Sequence, residues 1–459
     1  MVPNSKMIPH TIPLGILYLA SSLRKEVRHS VRIIDARCDR LSYAEISRWI
    51  RDFNPEVVGI TGLSIEANEI HNLAGLVKVI NPACKLVVGG AYATFTPEAV
   101  ISDLNIDYVV IGEGERTICA LLDALENDDD VAGISGLAFR NKYRMVINPP
   151  NNWIDDINSI AFPAFDLLDI EKYFKQSVRH SENPLPRSNR ILPLFTSRGC
   201  PYHCIYCRNV FGRHVRLRSV TNVMQEIEQL TKQFRADEIE IIDDIFNYDI
   251  PRAKAICEEI YNRGIKVHLS FPNALRVDMM DEELLVKLKK AGTYMIVYGI
   301  ESGSPGVQRL IKKNLDLHQA QRIINHTIQQ GILTGGYFML GFPGESKYQM
   351  RDTIRFAKKS GIHLMGLVYV TPLPGTELFN QISKKNSGPM LTLDYNYQKL
   401  SLNTSAVSDR ELKNMRKKGH REFYLRPLHM LRIWKMLPHK KHIVRNFIAI
   451  MKRCFIDSF

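Results

Sequence analysis

Three of the eight cysteines in this chain lie within one short stretch, SRGCPYHCIYC, at residues 197–207. Cys200, Cys204 and Cys207 follow a CxxxCxxC pattern. Three thiolates on one loop can each hold an iron atom of a [4Fe–4S] cube, which leaves the fourth iron without a protein ligand. An iron with an open coordination position can bind a small molecule and react with it. We therefore predict that these cysteines are the metal ligands and the catalytic centre of the protein.

Two other uses of clustered cysteines are a structural zinc site and apolar packing. A zinc site needs a fourth ligand, and His203 is adjacent to Cys204, where it is poorly placed to close a chelate. No second CxxC or HxxxH pair follows at zinc-finger spacing. Cysteines that only fill a core rarely cluster beside residues such as Pro201, Tyr202 and Tyr206. The pattern favours the iron–sulfur cluster.

The CxxxCxxC spacing, with Tyr206 before the last cysteine, resembles the signature of the radical S-adenosylmethionine (SAM) superfamily. In that family the open iron is chelated by the amino and carboxylate groups of SAM. The resemblance implies that SAM is cleaved reductively at the cluster, which starts radical chemistry on an unactivated C–H bond. It also implies a reducing electron donor of the flavodoxin or ferredoxin kind, and a SAM-binding role for Tyr206.

The composition is that of an ordinary globular protein, with 45% hydrophobic and 24% charged residues among 459, enough for two to three domains. The other five cysteines are scattered singly, unlike the disulfide framework of a secreted protein. The first residues lack the pattern of a signal peptide, and no window approaches 18 uninterrupted apolar residues. We expect a cytoplasmic protein that does not span a membrane.

The positive charge is concentrated at the C-terminus. Residues 401–459 carry 14 Lys and Arg against 4 Asp and Glu, a net +10 out of +13 for the whole chain. A basic patch confined to one tail argues against a nucleic-acid groove through the active domain, so we expect no nucleic-acid partner.

Within this tail, four apolar residues recur at helical spacing: Tyr424, Leu428, Leu431 and Trp434. One interpretation is that they pack against the rest of the protein. The other is that a basic amphipathic helix lies on an anionic membrane, as a peripheral contact that helps to collect a lipophilic small-molecule substrate.

Residues 14–126 alternate short apolar runs with amphipathic helical patterns, which predicts an α/β domain with a parallel sheet. We place its strands at 31–35, 57–61, 85–90 and 107–112, and its helices at 14–25, 43–53, 66–80, after Pro97 and from Glu115. Small or polar residues end strand after strand, where ligands of open α/β sheets bind.

The runs IPLGILYLA, VVGITG, VVGGAYATFTPE and DYVVIGEGE, in this order, resemble the Rossmann-like cobalamin-binding domain that precedes the barrel in one radical SAM class. The resemblance implies cobalamin contacts from the loops that carry Thr61, Ser64, Gly89, Gly90, Tyr92, Thr94, Gly112 and Glu113. The chain has no DxHxxG motif, so that motif supplies no histidine ligand to cobalt. Only thirteen residues precede Leu14, so either the sequence lacks its first strand or the sheet is built one strand short.

A hairpin is predicted at 134–147, followed by a linker rich in Asn, Pro and Asp. Six βα units follow, with strands near 191–197, 238–243, 266–271, 294–299, 333–340 and 364–370. They predict an open (βα)6 partial barrel with catalytic groups at the carboxyl ends of its strands. The predicted domains are 1–130 (cobalamin-binding type), 131–188 (hairpin and linker), 189–400 (barrel) and 401–459 (basic helical tail).

Residues at four of these strand ends match motifs of the radical SAM family, which implies SAM contacts. Asp244 would face the methionyl ammonium, with a helix cap as its alternative. Arg276 would pair with the carboxylate, with a surface salt bridge as its alternative. Glu301 and Ser302 would bind the ribose. The motifs YFMLGFPGE, with Gly341 and Glu345 near adenine, and VTPLPGTELF complete the set.

Relatives of this class include cobalamin-dependent carbon methylases and the anaerobic magnesium-protoporphyrin ester cyclase. The resemblance therefore implies methyl transfer to carbon or ring closure without methyl transfer, and these motifs do not distinguish the two. A tRNA-modifying, methylthiotransferase-like enzyme and a non-catalytic cofactor-binding protein are the remaining alternatives.

Overall fold

A computed structural model of the chain describes residues 11–25, 29–142, 144–150, 153–175, 185–384 and 394–436. Contacts divide the chain into two units: residues 1–180 with 209–217, and residues 181–208 with 218–459. Among the described residues, no helix combines the length and the apolar character that a membrane crossing requires.

The first unit is a five-stranded sheet covered by helices on both faces. Its elements are α1 (Leu14–Lys25), α2 (Tyr43–Phe53), β1 (Val57–Thr61), α3 (Ala67–Ile80), β2 (Lys85–Gly89), α4 (Gly90–Phe95), α5 (Pro97–Ile101), β3 (Tyr108–Val110), α6 (Glu115–Asn127), β4 (Leu137–Asn141), β5 (Arg144–Ile147) and α7 (Ile170–Lys175). The strand order is β1-β2-β3-β4-β5, with β1 to β3 parallel and the hairpin β4–β5 antiparallel.

Successive side chains of β2 point to opposite faces of the sheet, and each face has its own hydrophobic core. Val88 packs with residues of α2 and α3, and Val87 packs with residues of α1 and α6 on the opposite face. The structure therefore confirms the Rossmann-like pattern predicted from the sequence, with helices on both sides of a mostly parallel sheet.

The strand predicted at 31–35 is wrong, because these residues pair with no strand in the described structure. Ile34 still packs against the hydrophobic core. At the end of the segment, buried Asp35 accepts hydrogen bonds from the backbone of Arg37 and Cys38 and from the Tyr173 hydroxyl. These bonds turn the chain into a loop instead of extending the sheet.

The second unit contains six parallel strands in sequence order. Its strands are β6 (Ile191–Leu194), β9 (Glu238–Ile241), β10 (His268–Leu275), β11 (Thr293–Glu301), β12 (Leu333–Leu340) and β13 (Leu364–Tyr369); two short strands lie between the first two, β7 (Ser197–Arg198) and β8 (Arg216–Leu217, in the first unit). Its helices are α8 (Val220–Glu228, continued by a π-helical turn at Gln229–Gln233), α9 (Ile250–Asn262), α10 (Glu282–Lys290), α11 (Pro305–Leu310), α12 (Leu317–Gln329), α13 (Lys347–Lys359) and α14 (Glu377–Ser383).

Each new strand pairs beside the previous one, in the order β6-β9-β10-β11-β12-β13. This is the predicted (βα)6 partial barrel. All nine residues of central β11 are buried, as expected for a parallel strand covered on both faces.

The helices α15 (Asp409–Tyr424) and α16 (Pro427–Met436) follow the barrel. The Tyr424 hydroxyl bonds the backbone N–H and C=O of Met365, and the Arg416 guanidinium donates to the Leu367 carbonyl. Side chains of α15 thus satisfy the backbone of the edge strand β13 and close it to further pairing.

The two interpretations of the tail can be compared with the exposure of its apolar side chains. Tyr424 is buried against the barrel, but Leu428 is 79% exposed and Leu431 46% exposed. The packing interpretation is therefore right for Tyr424 and wrong for these two leucines. Membrane contact stays a prediction, and residues 437–459 lie outside the described part of the chain.

Candidate functional site

The cysteine loop begins where β6 ends, and an acidic pair holds this junction. Asp243 accepts hydrogen bonds from Thr196 N (2.6 Å) and from the hydroxyls of Thr196 (2.5 Å) and Ser197 (2.6 Å). Asp244 instead accepts from Gly199 N at 3.3 Å, next to Cys200. Burial, and then the neighbouring Asp243, raise the pKa of Asp244 to about 6. Asp243 therefore builds the loop and Asp244 bonds its backbone, while the predicted SAM contact of Asp244 stays a prediction.

The middle of the loop is fixed through Ile205. Its backbone N–H donates to the Ile311 carbonyl (3.1 Å), and its carbonyl accepts from Leu378 N (2.8 Å). Its side chain is buried in an apolar cluster with Phe342 and other barrel residues. Leu378 belongs to the predicted sixth-strand motif, so this motif supports the cysteine loop.

The three sulfur atoms are close enough to interact electrostatically. Part of Cys207 is exposed, but its thiol is enclosed: burial, and then the charges of Cys204 and Cys200, raise its pKa to about 12. Within the described part of the chain, the three sulfurs do not form a group whose ligand atoms all lie within 4.8 Å. A single zinc ion with sulfur ligands at about 2.3 Å would need them closer than this. The wider spacing suits a cube that holds each thiolate on a separate iron.

A buried ion pair lies at the end of β11. Lys313 Nζ bonds Glu301 Oε1 at 2.9 Å and approaches the Tyr206 hydroxyl at 3.4 Å. Its positive charge also lowers the pKa of Cys207. Glu301 adopts a left-handed backbone (φ 67°), a strained conformation for a residue with a side chain. Tyr206 is enclosed, since burial first and then Glu301 raise its pKa well above 10. The structure thus joins two predicted residues through Lys313, which the sequence reasoning missed.

The side chain of Arg276 contacts the cysteine loop and supports it. Its guanidinium lies 3.5 Å from the ring centre of Tyr202, pairs with Asp278 at 2.9 Å and donates to the Lys313 carbonyl at 2.8 Å. Tyr202 belongs to the loop between the first two cluster cysteines. The predicted contact with the SAM carboxylate stays a prediction, and Lys313 is the second cation near the cysteines.

The predicted ribose contact Ser302 already has hydrogen-bond partners within the protein. Ser302 is fully buried, and its hydroxyl bonds Thr353 Oγ1 (2.9 Å) and accepts from Ser304 N (3.1 Å). These bonds explain its burial without a ribose, so the predicted ribose contact stays a prediction.

Glu345 caps the loop after β12, where Gly341 N (2.7 Å) and Phe342 N (3.1 Å) donate to its Oε2. Gly341 has φ 106°, which a residue with a side chain rarely adopts. Burial raises the pKa of Glu345 to about 7, and its Oε1 is a buried acceptor without a hydrogen-bond partner in the described structure. A buried polar atom of this kind usually has a partner, so Oε1 fits a ligand donor.

Tyr337 is the exposed residue of the otherwise buried strand β12. Phe338 packs on Phe356 of α13, so alternation places Tyr337 on the opposite, inner face of the barrel. In register, Tyr337 lies between Gly299 of β11 and Gly366 of β13. A Cβ on Gly366 would lie 2.7 Å from the Tyr337 ring, so this glycine makes room for the ring. The motif YFMLGFPGE begins at Tyr337, but the sequence reasoning singled out only Gly341 and Glu345 of it.

The predicted cobalamin residues of the first unit meet at the carboxyl edge of its sheet. Thr61 and Gly89 are register partners in β1 and β2, and Thr94 Oγ1 accepts from Gly112 N at 3.0 Å. Gly90 has φ 86°, and a Cβ there would lie 2.4 Å from Thr61 Oγ1. Ser64 is buried in the turn that follows β1. This edge consists of backbone, hydroxyls and glycines, which suits the long amide-rich tail of a corrinoid.

Two further residues of this edge have protein partners. Glu113 Oε2 accepts from Arg216 Nη1 (2.6 Å) and Ile154 N (3.1 Å), so its predicted cobalamin contact stays a prediction. The Tyr92 hydroxyl bonds His71 Nε2 at 3.0 Å, while Asp103 bonds Nδ1 of the same ring at 2.6 Å. Both nitrogens of His71 are therefore engaged by side chains of the first unit.

Two family models match the chain, the B12 binding domain over residues 7–122 and the radical SAM superfamily over residues 194–357. An uncharacterized methyltransferase of Pyrococcus horikoshii is 31% identical over 97% of this chain and 94% of its own length. Cytidylyl-2-hydroxyethylphosphonate methyltransferase of Streptomyces wedmorensis is 28% identical (83% and 80%). Anaerobic magnesium-protoporphyrin IX monomethyl ester cyclase of Rubrivivax gelatinosus is 27% identical (81% and 66%).

The fold is also that of a solved enzyme. The radical SAM methyltransferase TsrM of Kitasatospora setae, with cobalamin and a [4Fe–4S] cluster bound, superposes with a TM-score of 0.68. The match has 21% identity and covers 83% of this chain and 73% of that one.

Proposed function

Because the chain belongs to the radical SAM enzymes that carry a B12-binding domain, we propose that it transfers a methyl group from SAM through cobalamin to a carbon atom of a small-molecule substrate. The observation that carries the proposal is that one chain retains both sets of residues, the glycine-lined edge of the first sheet and the three-cysteine loop of the barrel. A protein that only bound one cofactor would not need both.

When bound, the reduced cluster supplies the electron that cleaves SAM, and cobalamin carries the methyl group. The residues of the chain bind and orient these groups. Cys200, Cys204 and Cys207 would hold the cluster. Asp244 and Lys313 offer groups of both signs to the charged ends of the methionyl part of SAM, and Glu301 keeps its predicted role as a ribose contact.

The substrate would lie on the inner face of the barrel. Tyr337 lies between Gly299 and Gly366 in register, and its hydroxyl donates to the Pro272 carbonyl at 3.0 Å. This bond fixes the ring, so its face is available for an apolar or flat part of a substrate. The electron donor would be a separate flavodoxin- or ferredoxin-like protein.

The proposal is tested by anaerobic reconstitution of the full chain with iron, sulfide and hydroxocobalamin, followed by dithionite and SAM labelled in its methyl group. We expect label on the bound corrinoid and formation of S-adenosylhomocysteine, and neither product from Cys204→Ala. Formation of 5′-deoxyadenosine without label on the corrinoid would retain the radical chemistry and remove methyl transfer. That result would favour ring closure, the second candidate, which the similarity to the cyclase supports.

A further inference from the structure

Two arginines only two residues apart serve different units of the molecule. Residues 209–217 have their contacts in the first unit, and the chain on both sides of them belongs to the second. Arg216 pairs with Glu113 of the first unit at 2.6 Å, and both side chains are at most 3% exposed. Arg218 pairs with Glu226 of the second unit at 2.5 Å, and both are at most 5% exposed. Each arginine thus compensates one buried carboxylate.

Arg216 fixes the turn that follows β3. Glu113 lies in this turn, beside Gly112 and its bond to Thr94 at the predicted cobalamin edge. The guanidinium of Arg216 also donates to the carbonyls of Ile154 (3.0 Å) and Phe211 (2.8 Å). Because a guanidinium is a planar fork, these acceptors set its orientation and that of the carboxylate it holds.

The turn is also enclosed by Trp153. Its ring lies 5.4 Å from the Arg216 guanidinium, and a Cβ on Gly112 would lie 3.4 Å from it. A Cβ on Gly212, four residues before Arg216, would lie 3.3 Å from the same ring. The segment 209–217 is therefore built into the support of the turn.

Arg218 fixes the entry to the cysteine loop instead. Its Nη1 donates to the Phe195 carbonyl at 2.6 Å, and its backbone N–H donates to the Thr196 carbonyl at 3.1 Å. Phe195 and Thr196 directly precede the stretch that carries the cysteines. Its Nε donates to Asn222 Oδ1 at 2.6 Å, which anchors it to α8.

We propose that Arg216 is a positioning residue for the corrinoid, although it follows the last cluster cysteine by only nine residues, and that it acts through Glu113 on the turn at residues 112–115. Arg218 is its counterpart for the cluster. This inference depends on cobalamin binding to the first unit. Without Arg216, Glu113 loses the guanidinium that holds its carboxylate, and the bonds that join it to the Ile154 and Phe211 carbonyls are lost, so the turn is no longer fixed.

The test compares Arg216→Met and Arg218→Met in the full chain, reconstituted anaerobically with iron and sulfide. The two readouts are the Kd of hydroxocobalamin from an absorbance titration and the iron content per chain. We expect Arg216→Met to weaken hydroxocobalamin binding at least tenfold and to keep its iron. We expect Arg218→Met to lose iron and to bind hydroxocobalamin like the wild type.

The variant Glu113→Gln/Arg216→Met removes both charges of the pair, so it tests the loss of the guanidinium and its hydrogen bonds separately from any change in charge balance. It should fold and still bind hydroxocobalamin weakly. Wild-type affinity in both Arg216 variants would overturn the inference, as would equal loss of iron and hydroxocobalamin in the Arg216 and Arg218 variants. If the wild type itself takes up iron but no hydroxocobalamin, cobalamin-dependent methyl transfer fails together with the inference.

Discussion

The two regions that we assign to cofactors differ in the chemical groups that they offer. The edge of the first sheet offers backbone groups, hydroxyls and glycines, and the charge of Glu113 there is neutralised by Arg216. The end of the barrel offers thiols and buried charges, with the Glu301–Lys313 pair and the carboxyls of Asp244 and Glu345. The first region recognises shape and needs space. The second region holds charged groups. A substitution that impairs cofactor binding in one region should therefore leave the other region unaffected.

The largest expected effect is loss of the cluster. Cys204→Ala removes one of three thiolates from the loop, so we expect reconstituted protein without the brown chromophore but with wild-type hydroxocobalamin affinity. Cys257→Ala is the matched control, because this thiol is buried in α9, where burial raises its pKa to about 12. Iron content and absorbance measure the difference. A Cys204→Ala chain with a full complement of iron would contradict the assignment of the ligands.

Gly90→Ala should damage the other region alone. The substitution forces a side chain into a left-handed conformation and against Thr61, at a cost of about 1–3 kcal/mol. We expect hydroxocobalamin affinity to fall by about tenfold or more with iron content unchanged. Gly59→Ala is the control in the neighbouring strand, since a Cβ there meets nothing within 4 Å. Equal affinities of the two variants would show that the glycine edge does not bind the corrinoid.

Lys313→Met tests the charged region. It leaves Glu301 buried without its cation, and we expect SAM affinity to fall about tenfold, which is about 1.4 kcal/mol. The neighbouring Lys312 is exposed and pairs with Glu377, so Lys312→Met should bind SAM like the wild type. Equilibrium dialysis with labelled SAM on the reconstituted protein gives both values. Unchanged binding in Lys313→Met would remove this lysine from the SAM site.

The smallest expected effect is a change in pH dependence. Burial raises the pKa of Glu345 from 4.5 to about 7 in the folded chain. The folded state therefore holds this proton more tightly than the unfolded state, and stability from this group is lost as the pH rises from about 4.5 to about 7. Glu345→Gln cannot ionise, so its free energy of unfolding, from urea titrations, should improve relative to the wild type over this range. If the free energy of unfolding depended on pH in the same way in both proteins, the raised pKa of Glu345 would be contradicted.

The sequence predicted what depends on local pattern and failed where distant residues decide. The barrel strands, the cysteine loop and the glycine-ended strands follow from apolar period and turn residues, which are local. The segment 31–35 has the apolar residues of a strand, but a hydrogen bond from the Tyr173 hydroxyl, more than a hundred residues away, helps to hold its end in a turn.

The same limit explains the missed side chains. The ion-pair partner of Glu113, Arg216, lies 103 residues further along the chain, so no local pattern could connect the two. Lys313 carries no motif of its own, and its importance comes from its position beside Glu301 and the cysteines. Only the folded chain reveals such pairs.

The central claim is that three cysteines hold a cluster with one open iron that binds SAM. The most direct test is the electron paramagnetic resonance spectrum of reconstituted, dithionite-reduced protein before and after addition of SAM. The account predicts the signal of a reduced [4Fe–4S] cluster that changes its g values when SAM is added. A cluster signal that SAM leaves unchanged, or protein that takes up no iron, would contradict it.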